Sequence, residues 1–335
     1  MEESIDTAGR TGGCAGGPDD ACGHGCEHGQ PAGGAARPDG PAFVEQGFEH
    51  DGVRYHVRRW GDPADIPLLA LHGFMQTGAT WEPLAADLAC GHCVYAIDLV
   101  GHGQSDKPYE PMPYTIDAMV EMLAAFIKEA ILPENASAVP TGQRAQNHVH
   151  VLGYSMGGRI ALELAVQHPE LVYTLVLESA GLGPADETER AAYAQRAAAW
   201  ARDLRAQGTQ AFVDCWEQLP LFASQQRLPE DTRARVRNER LANDAEALAL
   251  TLENSGQDRM RLRDEYLEQL SYSWIPVYYL SGTRDDKYLE LAELLIHEGF
   301  EAKALMGGHN LHLEVPDYYR EALDGFYRAN EMRGI

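Results

Sequence analysis

The chain has 335 residues, 44% of them hydrophobic, with 27 lysines and arginines against 51 aspartates and glutamates, a formal net charge of −24. That is enough chain for one large α/β domain with insertions, while the acidic balance argues against a nucleic-acid partner and leaves no basic stripe for an anionic membrane. No apolar run is long enough to predict a membrane span, and Met1 to Arg10 lacks the basic and apolar blocks of a signal peptide, so a cytoplasmic protein is expected.

Residues 1–40 form a leader rich in Gly, Ala, Pro and Asp, with little to bury, and are expected to be disordered. Within it Cys22-Gly23-His24-Gly25-Cys26-Glu27-His28 offers soft ligands at short spacing. It lacks a second knuckle to enclose an ion, so no metal and no cofactor are assigned. From residue 41 to 183 strand signals alternate with helical stretches, at Arg54 to Trp60, Leu68 to Leu71, Val94 to Ile97, Val149 to Leu152 and Thr174 to Leu177. Pro133 to Asn147 reads as an extended surface loop. The alternation predicts a mostly parallel central sheet with helices on both faces and an antiparallel opening edge. From 184 to 272 the strand signals stop. Helical patterns fill the gap at Ala185 to Arg205, Thr209 to Glu217, Asp231 to Leu241, Ala245 to Asn254 and Leu262 to Leu270, a helical cap inserted after the sixth strand. Residues 273–335 resume the core, with strands at Val277 to Leu280 and Ala302 to Met306.

The chemistry concentrates in Gly153-Tyr154-Ser155-Met156-Gly157, between the strand-like His148 to Leu152 and the helix-like Gly158 to Val166. This is the context of a G-x-S-x-G nucleophile elbow, whose glycines permit a sharp strand-to-helix turn presenting Ser155. An α/β-hydrolase fold supplies the partners in the order serine, acid, histidine. Asp285 follows the Val277 strand in Gly282-Thr283-Arg284-Asp285, with Asp286 as its rival, and His309 follows the last strand in Gly307-Gly308-His309-Asn310. Upstream, His72-Gly73-Phe74 is placed so that the N–H of Phe74 joins that of Met156 as an oxyanion hole. His72 and His102 are read as structural, and His312 as a surface or packing residue.

Spacing leaves the reaction open. Ser155 can attack an ester or amide carbonyl, or, facing an acidic C–H, it can act as a base while the oxyanion hole holds an enolate. The net charge adds one condition: an anionic substrate requires arginines gathered locally in the pocket.

The runs Gly153 to Arg159, Glu189-Arg190 leading to Trp200-Ala201, Phe212 to Ser224, Gly282 to Tyr288 and Gly308 to His312 resemble the 2-succinyl-6-hydroxy-2,4-cyclohexadiene-1-carboxylate synthase family of the menaquinone pathway. The similarity spans roughly Pro67 to Tyr318, cap included. It implies an α/β-hydrolase-fold lyase that needs no cofactor, in which Ser155, His309 and Asp285 abstract a proton from a small polycarboxylate and expel pyruvate. Matching positions nominate Arg159, Arg190 and Arg240 for the carboxylates, with Trp216 and Tyr154 lining the ligand. In the first cap helix the family tends to carry further arginines and an aspartate, where this chain has Tyr193, Gln195, Arg196 and Ala197. These signals leave the oligomeric state unset.

Overall fold

The computed structural model describes residues 43–140 and 146–332; the leader and its cysteine–histidine cluster lie outside the described residues. Eight strands build one sheet: β1 Val44–His50, β2 Val53–Trp60, β3 Ile66–Leu71, β4 His92–Ile97, β5 Val149–Tyr154, β6 Val172–Glu178, β7 Val277–Gly282 and β8 Glu301–Leu305, in the order β1-β2-β4-β3-β5-β6-β7-β8. β1 and β2 pair antiparallel, as do β2 and β4, and every later pairing is parallel. β4, β5 and β7 are buried along their whole length, as a parallel sheet covered on both faces requires. Alternate side chains serve opposite faces. Leu69, Leu71 and Val151 pack with Phe126 and Ile160 on one side, while Leu68, Ala70 and Leu152 pack with Trp81, Phe326 and Tyr327 on the other.

The helices in chain order are α1 Glu82–Leu88, α2 Ile116–Phe126, α3 Leu132–Ala138, α4 Met156–Gln167, α5 Glu187–Trp216, α6 Glu230–Leu241, α7 Ala245–Asn254, α8 Arg263–Tyr272, α9 Asp286–His297, α10 Leu311–Glu314 and α11 Pro316–Glu331. Helices α5 to α8 follow β6 and precede β7, and among them Ala201, Leu204, Phe212, Val213, Leu248 and Ala249 pack with Met75 in a small core of their own. α5 is interrupted at Gly208, whose φ of 77° and ψ of 172° leave the helical region, so the chain turns where the sequence predicted a break between two helices.

Two local expectations are corrected. Strand β1 was not among the predicted strands, because Val44–His50 is an edge strand with mostly exposed residues and no apolar alternation to announce it. The expected loop from Pro133 is helical to Ala138: a wider π-helical turn at Ile127–Ile131 carries α2 directly into α3, and such a turn in the run before Pro133 accommodates a ring that cannot donate an N–H. Among the described residues no helix is long and apolar enough to cross a membrane.

Candidate active site

Parallel strands bring their C-terminal ends to one edge, and the loops after β3, β5, β7 and β8 therefore meet there. Ser155 follows β5 and is the N-cap of α4, held at φ 50° and ψ −104°, a strained geometry for a residue with a side chain. The turn closes this tightly only because of its glycines. A Cβ on Gly153 would sit 2.6 Å from Gly157 O, and one on Gly157 would collide with the carbonyl oxygens of Leu71 and His72.

His309 Nε2 lies 3.1 Å from Ser155 Oγ, and its Nδ1 lies 2.6 Å from Asp285 Oδ2. Asp285 and His309 are both buried, while Asp286 is exposed at the start of α9, so Asp285 is the acid that meets the imidazole. A carboxylate only accepts, which places the Nδ1 proton on His309 and leaves Nε2 free to take the serine proton. Met156 begins α4 directly after Ser155, and Phe74 lines the same cavity as Ser155.

Behind the triad runs a second buried chain of polar groups that no motif or spacing announces. Glu178, at the end of β6, accepts from Leu311 N at 2.6 Å, His312 N at 3.1 Å and His312 Nδ1 at 2.7 Å. His312 Nε2 meets Thr80 Oγ1 at 2.9 Å, Gln76 Nε2 donates to the same oxygen at 3.1 Å, and Gln76 Oε1 accepts from Gly73 N at 3.1 Å. Donor bookkeeping fixes every proton: Nδ1–H toward Glu178, Thr80 O–H toward the bare Nε2, and the Gln76 amide toward Thr80. The loop carrying His309 is thereby tied to the loop carrying Phe74. His312 is thus a buried link: of the two expectations, a surface residue is corrected, while packing holds, its ring centroid lying 4.4 Å from that of Trp81. His72 is buried too, with Nδ1 at 2.8 Å from Gly73 O and Nε2 accepting from Leu99 N at 3.0 Å.

The cap closes over this edge. Glu239 of α6 accepts from Thr77 N and Thr77 Oγ1, both at 2.8 Å, and Asn243 donates to Met75 O at 3.1 Å. A cavity of about 250 Å³ remains between cap and core, with Ser155 and His309 in its wall. Among the described residues four cations line it, Arg159, Arg196, Arg240 and Lys287, and no aspartate or glutamate does. In a chain of net charge −24 that segregation meets the condition set for an anionic ligand.

Each cation is held differently. Arg159 Nη1 donates to Ser255 O at 2.6 Å, and its desolvation lowers its pKa. Arg240 is buried, donates to Glu217 Oε1 at 3.0 Å and Gln225 Oε1 at 2.9 Å, and lies over the Phe222 ring. Lys287 is exposed as a residue, yet its Nζ donates to Tyr193 OH at 3.0 Å and lies over that ring. Desolvation of the ammonium, with the charge of Arg196 beside it, lowers its pKa to about 8. Arg196 rests over the rings of Tyr193 and Trp200. The aromatic wall includes Tyr154, whose ring centroid is 5.4 Å from that of His309, and Trp216, at 5.4 Å from Phe74.

Arg190 does not line the cavity. Its Nε meets both Glu187 oxygens at 3.1 Å and its Nη1 donates to Asp258 O and Met260 O, each at 2.7 Å. This corrects the expectation of a ligand clamp: the guanidinium pins the start of α5 to the segment after α7. Arg196 and Lys287 are the cations that sequence reasoning missed. A signal existed for the first, since Tyr193, Arg196, Ala197 and Trp200 stand three, four and seven residues apart on one face of α5.

The alpha/beta hydrolase family model matches residues 68–322. A Bacillus subtilis (strain 168) protein provisionally named 2-succinyl-6-hydroxy-2,4-cyclohexadiene-1-carboxylate synthase is 32% identical over 280 residues, which cover 82% of this chain and 95% of the relative. The protein of that name from Salmonella typhimurium (strain LT2) is 30% identical over 257 residues, 76% of this chain and 91% of the relative. Among solved structures, MenH from S. aureus has a TM-score of 0.71 at 26% identity, covering 82% of this chain and 98% of that one. The enol-lactonase from Burkholderia xenovorans LB400, at TM-score 0.67 and 21% identity over 84% of this chain and all of that one, shares the fold.

Proposed function

The chain belongs to the alpha/beta hydrolase family and, within it, to that of the 2-succinyl-6-hydroxy-2,4-cyclohexadiene-1-carboxylate synthases, and on that premise we propose that it acts in menaquinone biosynthesis as a carbon–oxygen lyase. The reaction is elimination of pyruvate from 2-succinyl-5-enolpyruvyl-6-hydroxy-3-cyclohexene-1-carboxylate. The substrate's ring double bond lies at carbon 3 and the product's at carbons 2 and 4. The proton therefore leaves carbon 2 and the enolpyruvyl group leaves carbon 5. His309 Nε2 takes the Ser155 proton, the resulting alkoxide removes the carbon 2 proton, and the electron pair moves through the ring to expel the enolate of pyruvate; the His309 imidazolium gives its proton to that enolate, which leaves as pyruvate and restores the resting triad. Asp285 holds the imidazole and balances its transient positive charge. Negative charge developing on the succinyl ketone oxygen is met by the N–H groups of Phe74 and Met156.

The observation that carries this reading is the cation-lined cavity over the triad. The substrate bears three carboxylates, and Arg159, Arg196, Arg240 and Lys287 supply donors for them while the aromatic wall covers the ring. The test is release of pyruvate by purified protein, followed with lactate dehydrogenase, together with the intact mass of the protein during turnover. Pyruvate release without a covalent adduct supports the lyase. An acyl adduct on Ser155 with simple aryl esters, and no pyruvate from the pathway substrate, supports instead a carboxylesterase or C–C bond hydrolase, the reading the bare triad favours.

A further inference from the structure

At the opposite edge of the sheet, where the parallel strands begin, we propose a divalent-metal site formed by His92, His150 and Glu331. His92 opens β4, His150 lies at the start of β5, and Glu331 ends α11. One ligand atom from each lies within 4.8 Å of the other two. His92 Nε2 is 2.9 Å and His150 Nε2 3.4 Å from the same oxygen, Glu331 Oε1. A tetrahedral ion with bonds near 2.0–2.1 Å separates its ligand atoms by about 3.3 Å, so both spacings suit it with little movement.

Hydrogen-bond bookkeeping asks for a cation there. His92 Nδ1 lies 3.0 Å from Leu88 O, and a carbonyl only accepts, so that nitrogen carries the ring proton and a neutral ring turns its Nε2 lone pair on the carboxylate. A second proton on His92 would satisfy that pair alone. His150 Nε2 would keep only its 3.4 Å approach to Glu331 Oε1, long for a hydrogen bond, in a side chain with no solvent exposure. One metal ion satisfies all three atoms together. The outer contacts are those that orient ligating histidines: His92 Nδ1 on a backbone carbonyl and His150 Nδ1 at 2.7 Å from Thr174 Oγ1. Glu331 keeps 24% of its side chain exposed, which leaves a path for the ion and for a completing water. Two imidazoles and a carboxylate suit Zn²⁺ or Co²⁺, and the ion would fasten the last helix to the starts of two central strands, remote from Ser155.

The test uses the full chain stripped with chelator and titrated with Co²⁺ and then Zn²⁺. The expected result is one Co²⁺ with visible d–d absorption but no thiolate charge-transfer band, displaced by Zn²⁺, and retained when Cys14, Cys22 and Cys26 are changed to Ser. His150→Gln and the more exposed Glu331→Gln should each weaken that signal at least ~10-fold. Absence of a thiolate-free cobalt spectrum in the wild type, or its persistence unchanged in Glu331→Gln, would overturn the proposal.

Discussion

Thr80→Val tests the buried chain that joins the His309 loop to the Phe74 loop. The Thr80 hydroxyl is its middle link, donating to His312 Nε2 at 2.9 Å and accepting from Gln76 Nε2 at 3.1 Å, and Thr80, Gln76 and His312 are all buried. Valine keeps the shape and removes both contacts, leaving one acceptor and one donor without water or partner. Each orphaned group costs about 1–3 kcal/mol, so with some relaxation the variant should lose about 2–4 kcal/mol of stability. Thr80→Ser restores the hydroxyl and should recover most of it. The assay is urea unfolding of the three proteins side by side, read as midpoints at constant slope. A Thr80→Val variant within ~0.5 kcal/mol of wild type, or Thr80→Ser as unstable as Thr80→Val, would refute the proton assignment along the chain.

The His56–Asp98 pair gives a pH signature. Burial pushes the Asp98 carboxyl up, but the His56 contact at 3.1 Å and the N–H groups of Gln104 and Gly78 outweigh it and hold its pKa at about 2, while the same contact raises His56 above its ordinary 6.5. The Asp98 contribution is present above its unfolded value of 3.8 and lost as pH falls toward 2; that of His56 is full below 6.5 and lost as pH rises through its raised value. The stability gap between wild type and His56→Gln, roughly 1 kcal/mol, should therefore be widest between those unfolded values and shrink on both sides; a flat gap in urea unfolding from about pH 3 to 9 would contradict it. In the cavity, Lys287→Met and Arg159→Met should each lower kcat/KM for the tricarboxylate roughly 10- to 100-fold, the worth of a charged hydrogen bond. Labelling of Ser155 by a neutral phosphonate should be unchanged, and an equal loss there would mean structural damage instead of lost recognition.

Much of this fold was legible because its physics is local. The largely apolar, fully buried strands β4, β5 and β7 announce a two-sided parallel sheet, and the glycines around Ser155 mark a turn that tolerates no Cβ. The positions of Asp285 and His309 followed from their place after late strands. Edge strand β1 escaped because only its backbone pairing, not its side-chain pattern, makes it a strand. The roles of the cap cations were beyond sequence reading for another reason. Arg190 and Arg196 share one helix and differ only in which neighbour the folded cap brings: carbonyls of Asp258 and Met260 for the first, the cavity for the second. Glu178, His312, Thr80 and Gln76 are scattered over a stretch of 237 residues, and no spacing rule connects them.

In the proposed elimination one hydroxyl, that of Ser155, is the base that takes the first proton. The rate of pyruvate release from the pathway substrate should fall by roughly 10⁴-fold or more in Ser155→Ala, with the variant still folded and binding substrate. Release within ~10-fold of the wild-type rate would contradict it.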